Sequence, residues 1–316
     1  MRNKCLSLIA VVLFFLAVIS FAFKRSETNF ILDEIYGPFL PEQEIDDKEY
    51  TIRVKVENDV EILPLEEYIV GVVAGEMPAS FSIEALKAQA VASRSYALYK
   101  KDQNNMEYDL TSDVSTQVYI GLEAMKKKWG DDFQKYYDKI YSAVDQTKGK
   151  VITYDGNIIE AFYFAMSAGS TNESKEVFGQ SKDYLKSVIS EYDNDSLRGY
   201  SSSMEFSLSD FKTKLQIDCD EVSIGDTIKN SSGYVDSIEV CGKKFKGTIF
   251  RKMLGIRSTN FDIDVSTNVK ITTRGYGHGV GMSQYGANGY ANAGYTYEDI
   301  IKHYYTGVDI VDLKDV

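Results

Sequence analysis

At 316 residues the chain has room for one large domain or two modest ones, and its 44% hydrophobic and 13% aromatic content excludes a disordered or collagen-like polymer. The formal net charge is −12, and the only charges before Ser26 are the cations Arg2, Lys4, Lys24 and Arg25, so the remainder is more acidic still. Such a surface repels phosphate backbones, which argues against a nucleic-acid partner.

Nineteen uncharged residues run from Cys5 to Phe23, nearly enough helix to span a hydrocarbon core of about 30 Å. A single N-terminal transmembrane anchor over residues 1–25 is expected, with Arg2 and Lys4 favouring a cytoplasmic N-terminus and an exported body. Ser20-Phe21-Ala22 also offers a small-x-small cleavage pattern, so the segment reads as an anchor or as a signal peptide, and the body is exported in both cases. Residues 26–50 are polar and read as a linker, and 51–316 as one exported α+β body of mixed strands and helices. Cys219 and Cys241 stand 22 residues apart, either as a disulfide or as two small apolar side chains. With His278 and His303 as its two histidines, the chain offers no Cys/His zinc spacing.

In TIRVKV, Ile52, Val54 and Val56 alternate with Arg53 and Lys55, the period of a half-buried strand. An apolar, strand-like run from Tyr68 to Ala74 leads to Glu76 and stops at Pro78. A helix over 82–100 follows, with Ser82 suited to its N-cap and Glu84 to the positive end of its dipole. At 100° per residue, Ile83, Leu86, Ala90, Ala97 and Leu98 form its buried stripe, with Arg94 in the middle. A guanidinium there is either paired to a core carboxylate or aimed into a pocket. Residues 122–147 read as a second helix, Asp155-Gly156 as a hairpin turn between apolar runs, and 205–260 as short strands with a helix near 248–254. A loop of small residues, Ser167 to Asn172, suits hydrogen bonding to a ligand. A terminal helix is expected to be capped by Thr296 and ended by Gly307.

The Gly-rich segment 274–294 lacks both the Walker ending and the dinucleotide spacing, which removes nucleotide binding. Gly281-Met282-Ser283-Gln284-Tyr285 misses the nucleophile elbow by one glycine, leaving a weak serine-hydrolase reading on Ser283 and His278. Glu76 is the most informative carboxylate: it is either a surface loop residue or an acid kept protonated by burial among apolar groups.

Three stretches settle that balance: EEYIVGVVAGEMPASFSIEALKAQAVASRSYAL at 66–98, FYFAMSAGSTNESKEVFG at 162–179 and RGYGHGVGMSQYGANGYANAGYTYEDIIKHYYTG at 274–307. Together they resemble the stage II sporulation protein D family of endospore formers. The resemblance implies a lytic transglycosylase that cleaves peptidoglycan glycan strands between N-acetylmuramic acid and N-acetylglucosamine, preferring strands stripped of peptide and leaving 1,6-anhydro ends. It implies action in septal thinning and engulfment from the mother-cell membrane, with the body facing the intermembrane space. Partnership with the stage II sporulation proteins P, an amidase, and M is implied too. The motif's glutamate maps onto Glu76, which would act as the catalytic acid and then base. Arg94, Gln117, Tyr163, Ser167 and Gln284 would orient sugar hydroxyls and acetamides, and Tyr276 and Tyr285 would stack on pyranose faces. Some members bind zinc through a His and two Cys near the segment corresponding to Asp109–Gln117. Here it reads DLTSDVSTQ, so a site with no metal and no other cofactor is expected, its loop held by hydrogen bonds or packing. The family also includes amidase enhancers, so a non-catalytic glycan-binding role is the alternative.

Overall fold

The computed structural model describes residues 50–103 and 107–316. The expected anchor and the linker through Glu49 lie outside the described residues. Among those described, no helix is long and apolar enough to cross a membrane. The body is α+β, with two separate buried cores.

The alternation read from TIRVKV yields strand β1 (Thr51–Val56), which buries Ile52 and Val54 completely. It pairs antiparallel with β2 (Asp59–Pro64). The run after it is helix α1 (Leu65–Glu76), which corrects the strand-like reading. Leu65, Tyr68 to Val70 and Val72 to Ala74 are buried around its whole circumference, and an apolar run without a polar face carries no period to separate buried helix from buried strand. The helix ends at Met77, in extended conformation, before Pro78.

Helix α2 (Ile83–Gln103) is the hub of the main core. Its burial extends well beyond the expected stripe, taking in Ala88, Gln89, Val91, Ala92, Ser93 and Ser95. Alanine and serine let neighbouring elements approach on several sides. Strand β3 (Leu110–Thr111) joins β1 in parallel. The single helix expected over 122–147 is two, α3 (Leu122–Trp129) and α4 (Phe133–Asp145), broken at Gly130, whose φ of 51° lies outside the α-helical region, with one 3-10 turn (Gly130–Asp132) between them. Strands β4 (Lys150–Tyr154) and β5 (Asn157–Ile158) form the expected hairpin, with Asp155 and Gly156 both at positive φ. Strand β6 (Tyr163–Phe164) and the short helix α5 (Ser174–Phe178) complete this part of the chain.

Residues 201–274 build the second core: β7 (Ser201–Ser207), α6 (Leu208–Leu215), β8 (Ile224–Lys229), β9 (Val235–Val240), β10 (Lys243–Lys246), α7 (Gly247–Leu254), β11 (Phe261–Val265) and β12 (Asn268–Arg274). Two three-stranded sheets, ordered β10-β9-β8 and β11-β12-β7, bury Phe206, Phe211, Phe245, Phe250 and Phe261. Cys219 and Cys241 are joined as a disulfide within this lobe, with Cα atoms 6.3 Å apart.

The chain then returns to the main core. Strand β13 (Met282–Ser283) lies parallel to β6 and leads directly into α8 (Gln284–Asn292). Helix α9 (Tyr297–Tyr304) starts with a full capping box between Thr296 and Asp299, and β14 (Asp309–Asp312) closes against β4.

Candidate active site

Glu76 is the last residue of α1, where the negative end of the helix dipole disfavours an anion. Two glycines of α1 decide what reaches it. A Cβ on Gly71 would lie 2.3 Å from the Tyr119 ring, and one on Gly75 would lie 2.4 Å from the Val118 carbonyl oxygen. Their absence lets residues 118–120 cross flush over the helix, and the Val118 N–H donates to Glu76 Oε1 at 2.7 Å. The Tyr163 hydroxyl faces the same oxygen at 3.5 Å, and Gln284 Nε2 faces Oε2 at 3.4 Å.

These contacts belong to one buried polar network. Gln117 Nε2 donates to the Tyr163 hydroxyl at 2.9 Å and to the Ser93 carbonyl, while its Oε1 accepts from the Tyr68 hydroxyl at 3.1 Å. Gln284 Nε2 also approaches Gln89 Oε1 at 3.4 Å, and Gln89 donates to Ser93 Oγ at 2.9 Å. Removal from water raises the Glu76 pKa above its ordinary value, outweighing the opposing pull of the Val118, Gln284 and Tyr163 donors and of the Lys128 charge. Lys128 is held nearby by the Ala74 carbonyl at 2.8 Å. As a residue Glu76 is half-buried, and its carboxyl is shielded. With its shortest donor on Oε1, the proton belongs on Oε2, which has only the long Gln284 contact. A shielded carboxyl of this kind has the protonation state that general-acid chemistry requires.

Tyr163 also lines a cavity of about 200 Å³, with Tyr96, Val114, Ser115, Thr116, Phe162, Phe178 and His278. Phe162 and Phe178 stack at 4.6 Å, and Val114 and Phe178 are exposed. Apolar rings open to solvent beside an acid suit the CH faces of sugars. His278 packs against Phe162, Phe164 and Phe178, and its Nδ1 accepts the Val280 N–H at 3.0 Å. Burial, reinforced by the Arg251 charge, pushes its pKa down to about 4 against a bond to the Tyr163 backbone, so the ring is neutral at physiological pH. That bond makes His278 a support for Tyr163. Ser283 caps α8 by accepting from the Gly286 N–H, and its hydroxyl donates to the Ala165 carbonyl. With both partners engaged elsewhere, the Ser283–His278 pair has no nucleophile-base geometry.

Of the residues singled out from sequence, Glu76, Gln117, Tyr163 and Gln284 converge. Arg94 is wholly buried and has the geometry of a structural pair: its guanidinium grips Glu66 with two nitrogens, at 2.9 and 2.5 Å, and donates to the Lys150 carbonyl. Ser167 is buried beneath Asp193, whose Oδ2 accepts its backbone N–H at 3.0 Å. Tyr276 is half exposed with the Arg257 guanidinium 4.4 Å from its ring centroid, and Tyr285 packs edge-on against Phe81. The segment 109–117 is held by Asp109, which takes the Arg53 guanidinium and backbone N–H, and by a Thr111–Thr116 bond. Gln89 and Ser93 were not singled out. Their signal was two polar residues four apart in an otherwise alanine-rich stretch of α2.

The fold and site thus define an α+β protein built around a shielded acid beside an aromatic cavity. Residues 54–154 match the family described as Stage II sporulation protein. Stage II sporulation protein D of Bacillus amyloliquefaciens is 41% identical over 261 residues, covering 80% of this chain and 76% of that protein. Its Bacillus subtilis (strain 168) counterpart is 40% identical over 259 residues, covering 79% and 75%. A protein of Bacillus subtilis (strain 168) named Amidase enhancer is 29% identical over 298 residues, covering 76% of this chain and 40% of that protein. The chain belongs to the stage II sporulation protein D family and has a role in sporulation.

Proposed function

We propose that the protein is a lytic transglycosylase acting on peptide-stripped peptidoglycan strands between N-acetylmuramic acid and N-acetylglucosamine. The observation that carries this reading is Glu76, a half-buried carboxyl with raised pKa in contact with Tyr163, which lines an aromatic cavity. Its Oε2 proton passes to the glycosidic oxygen as that bond breaks and oxocarbenium character develops. The resulting carboxylate then takes the proton of the muramic C6 hydroxyl, whose oxygen closes on C1 to give the 1,6-anhydro end. The sugar's own hydroxyl replaces water, so one carboxyl serves both steps. Val118 and Gln284 stabilise the transient anion, and Tyr163 holds the position of Oε1.

On this reading the body acts outside the mother-cell membrane during septal thinning and engulfment, alongside the stage II sporulation proteins P and M. The disulfide suits an oxidising compartment. Full-length protein incubated with peptide-stripped glycan is expected to release anhydro-muramic ends detectable by mass spectrometry, and Glu76→Gln to release them at least about 10²-fold more slowly. A wild-type digest without such ends would refute the enzyme. The similarity to the protein named Amidase enhancer favours a second reading, a glycan-binding stimulator of an amidase. It predicts amidase stimulation undiminished in Glu76→Gln.

A further inference from the structure

Near the end of α2, Lys100 presents a cation that the proposed chemistry does not use. Lys100 and Lys182 share the carboxylate of Glu160, so the trio carries one excess positive charge. Lys182 is well occupied, by Glu160 at 2.7 Å and the Tyr99 hydroxyl at 3.2 Å. Lys100 has Glu160 as its one hydrogen-bond acceptor among the described residues, which leaves two N–H donors for a ligand. Its side chain is 31% exposed, and its ammonium stands 5.3 Å from the Tyr96 ring centroid and 5.9 Å from that of Phe162. Both rings line the cavity that Tyr163 connects to Glu76.

Apolar rings beside an ammonium that keeps two donors after its bond to Glu160 match a pyranose that carries a carboxylate. The rings take the CH face of the sugar, and the cation takes the charge in a partly dehydrated setting, where an ion pair gains more than it does in open water. We propose that this cavity is the subsite for the acidic sugar of the strand, and that Lys100 reads the free lactyl carboxylate of muramic acid. The proposal rests on the glycan reading above and supplies its specificity. In a strand that keeps its peptide, the same carboxyl is a neutral amide with a bulky continuation, and Lys100 has no anion to meet.

The test uses the full-length Glu76→Gln chain, so that ligand stays uncut. It is titrated with peptide-stripped glycan oligomers and with the same oligomers carrying methylamide caps on the lactyl carboxyls. The free acid is expected to bind about tenfold more tightly, the preference to fall to about twofold or less with Lys100→Gln, and Lys100→Arg to restore it. Lys100→Gln leaves Glu160 paired with Lys182, and an unchanged melting transition verifies the fold. Equal affinity for the two ligands when Lys100 is present, a preference indifferent to Lys100→Gln, or failure to bind either glycan would overturn the proposal. Failure of the wild-type chain to cut glycan would instead refute the transglycosylase reading, and the binding result would stand apart from it.

Discussion

The two cores solve opposite problems. The lobe of residues 201–274 buries Phe206, Phe211, Phe245, Phe250 and Phe261, and its ion pairs, such as Lys229 and Arg274 with Asp262, lie at the surface. The main core instead accepts Arg94, Gln89, Ser93, Gln117 and Gln284 into its interior. Burying such groups is costly unless each is paired, and the hydrogen bonds around Gln117 and Arg94 provide that pairing. An interior bonded in this way around Gln117 and Gln284 has few alternative arrangements, so it fixes Glu76 in position. The lobe is packed by rings and stapled by a disulfide, and none of the groups around Glu76 comes from it.

The sharpest division between the two is expected from Glu76→Gln. It should lower glycan cleavage by about 10²–10⁴-fold, the usual worth of a positioned acid. Stability should move the other way. Because the folded pKa of Glu76 is raised, its favourable contribution is complete below the unfolded value and is lost as pH rises through the folded value. The stability of the Gln variant relative to wild type should therefore grow from mildly acidic to neutral pH, as read by thermal melts across that range. A gap independent of pH would mean that Glu76 is not the shielded acid.

The converse experiment is in the lobe. Phe250 is fully buried, stacked on Phe261 at 5.1 Å and edge-on to Phe211 and Phe245. Phe250→Ala should cost about 3–5 kcal/mol by denaturant titration, while the folded fraction cuts glycan at an unchanged rate. Replacing Cys219 and Cys241 together by Ser should cost about 3 kcal/mol, as expected for a closed loop of this length, again without changing the reaction. A large loss of turnover in either folded variant would break the separation between the cores.

Local features of this architecture were legible in the sequence because their causes are local. The alternation in β1, the Asp155-Gly156 turn and the Thr296 cap each involve neighbours in the chain. Helix α1 escaped because burial on all sides erases the period that distinguishes helix from strand. Within the site, Glu76 stood out from its apolar setting and Gln117, Tyr163 and Gln284 through motif resemblance, and their mutual bonding was beyond local reading. Val118 is 42 residues from Glu76 along the chain and Gln284 is 208, and only the crossing over Gly71 and Gly75 and the return of β13 beside β6 bring them together. The disulfide stayed open for the same reason, since spacing alone does not place two Cβ atoms in contact.

The smallest expected effect tests the electrostatics directly. Lys128 is bound to the Ala74 carbonyl, and its charge lowers the pKa of Glu76 against the dominant effect of burial. Lys128→Met removes that attraction, so the Glu76 pKa should rise further. On the proposed mechanism the protonated carboxyl is the active form, so cleavage should fall as pH climbs through that pKa. The alkaline limb of the pH–rate profile should therefore move upward, by less than the effect of burial, because the lysine is half-buried and screened by solvent. Lys229→Met provides the matched control, because that lysine pairs with Asp262 in the lobe at 3.1 Å. Its profile should overlay that of wild type. If both substitutions shift the limb equally, the effect is one of overall charge. If Lys128→Met shifts it downward, the group that limits cleavage is not a shielded carboxyl beside a lysine.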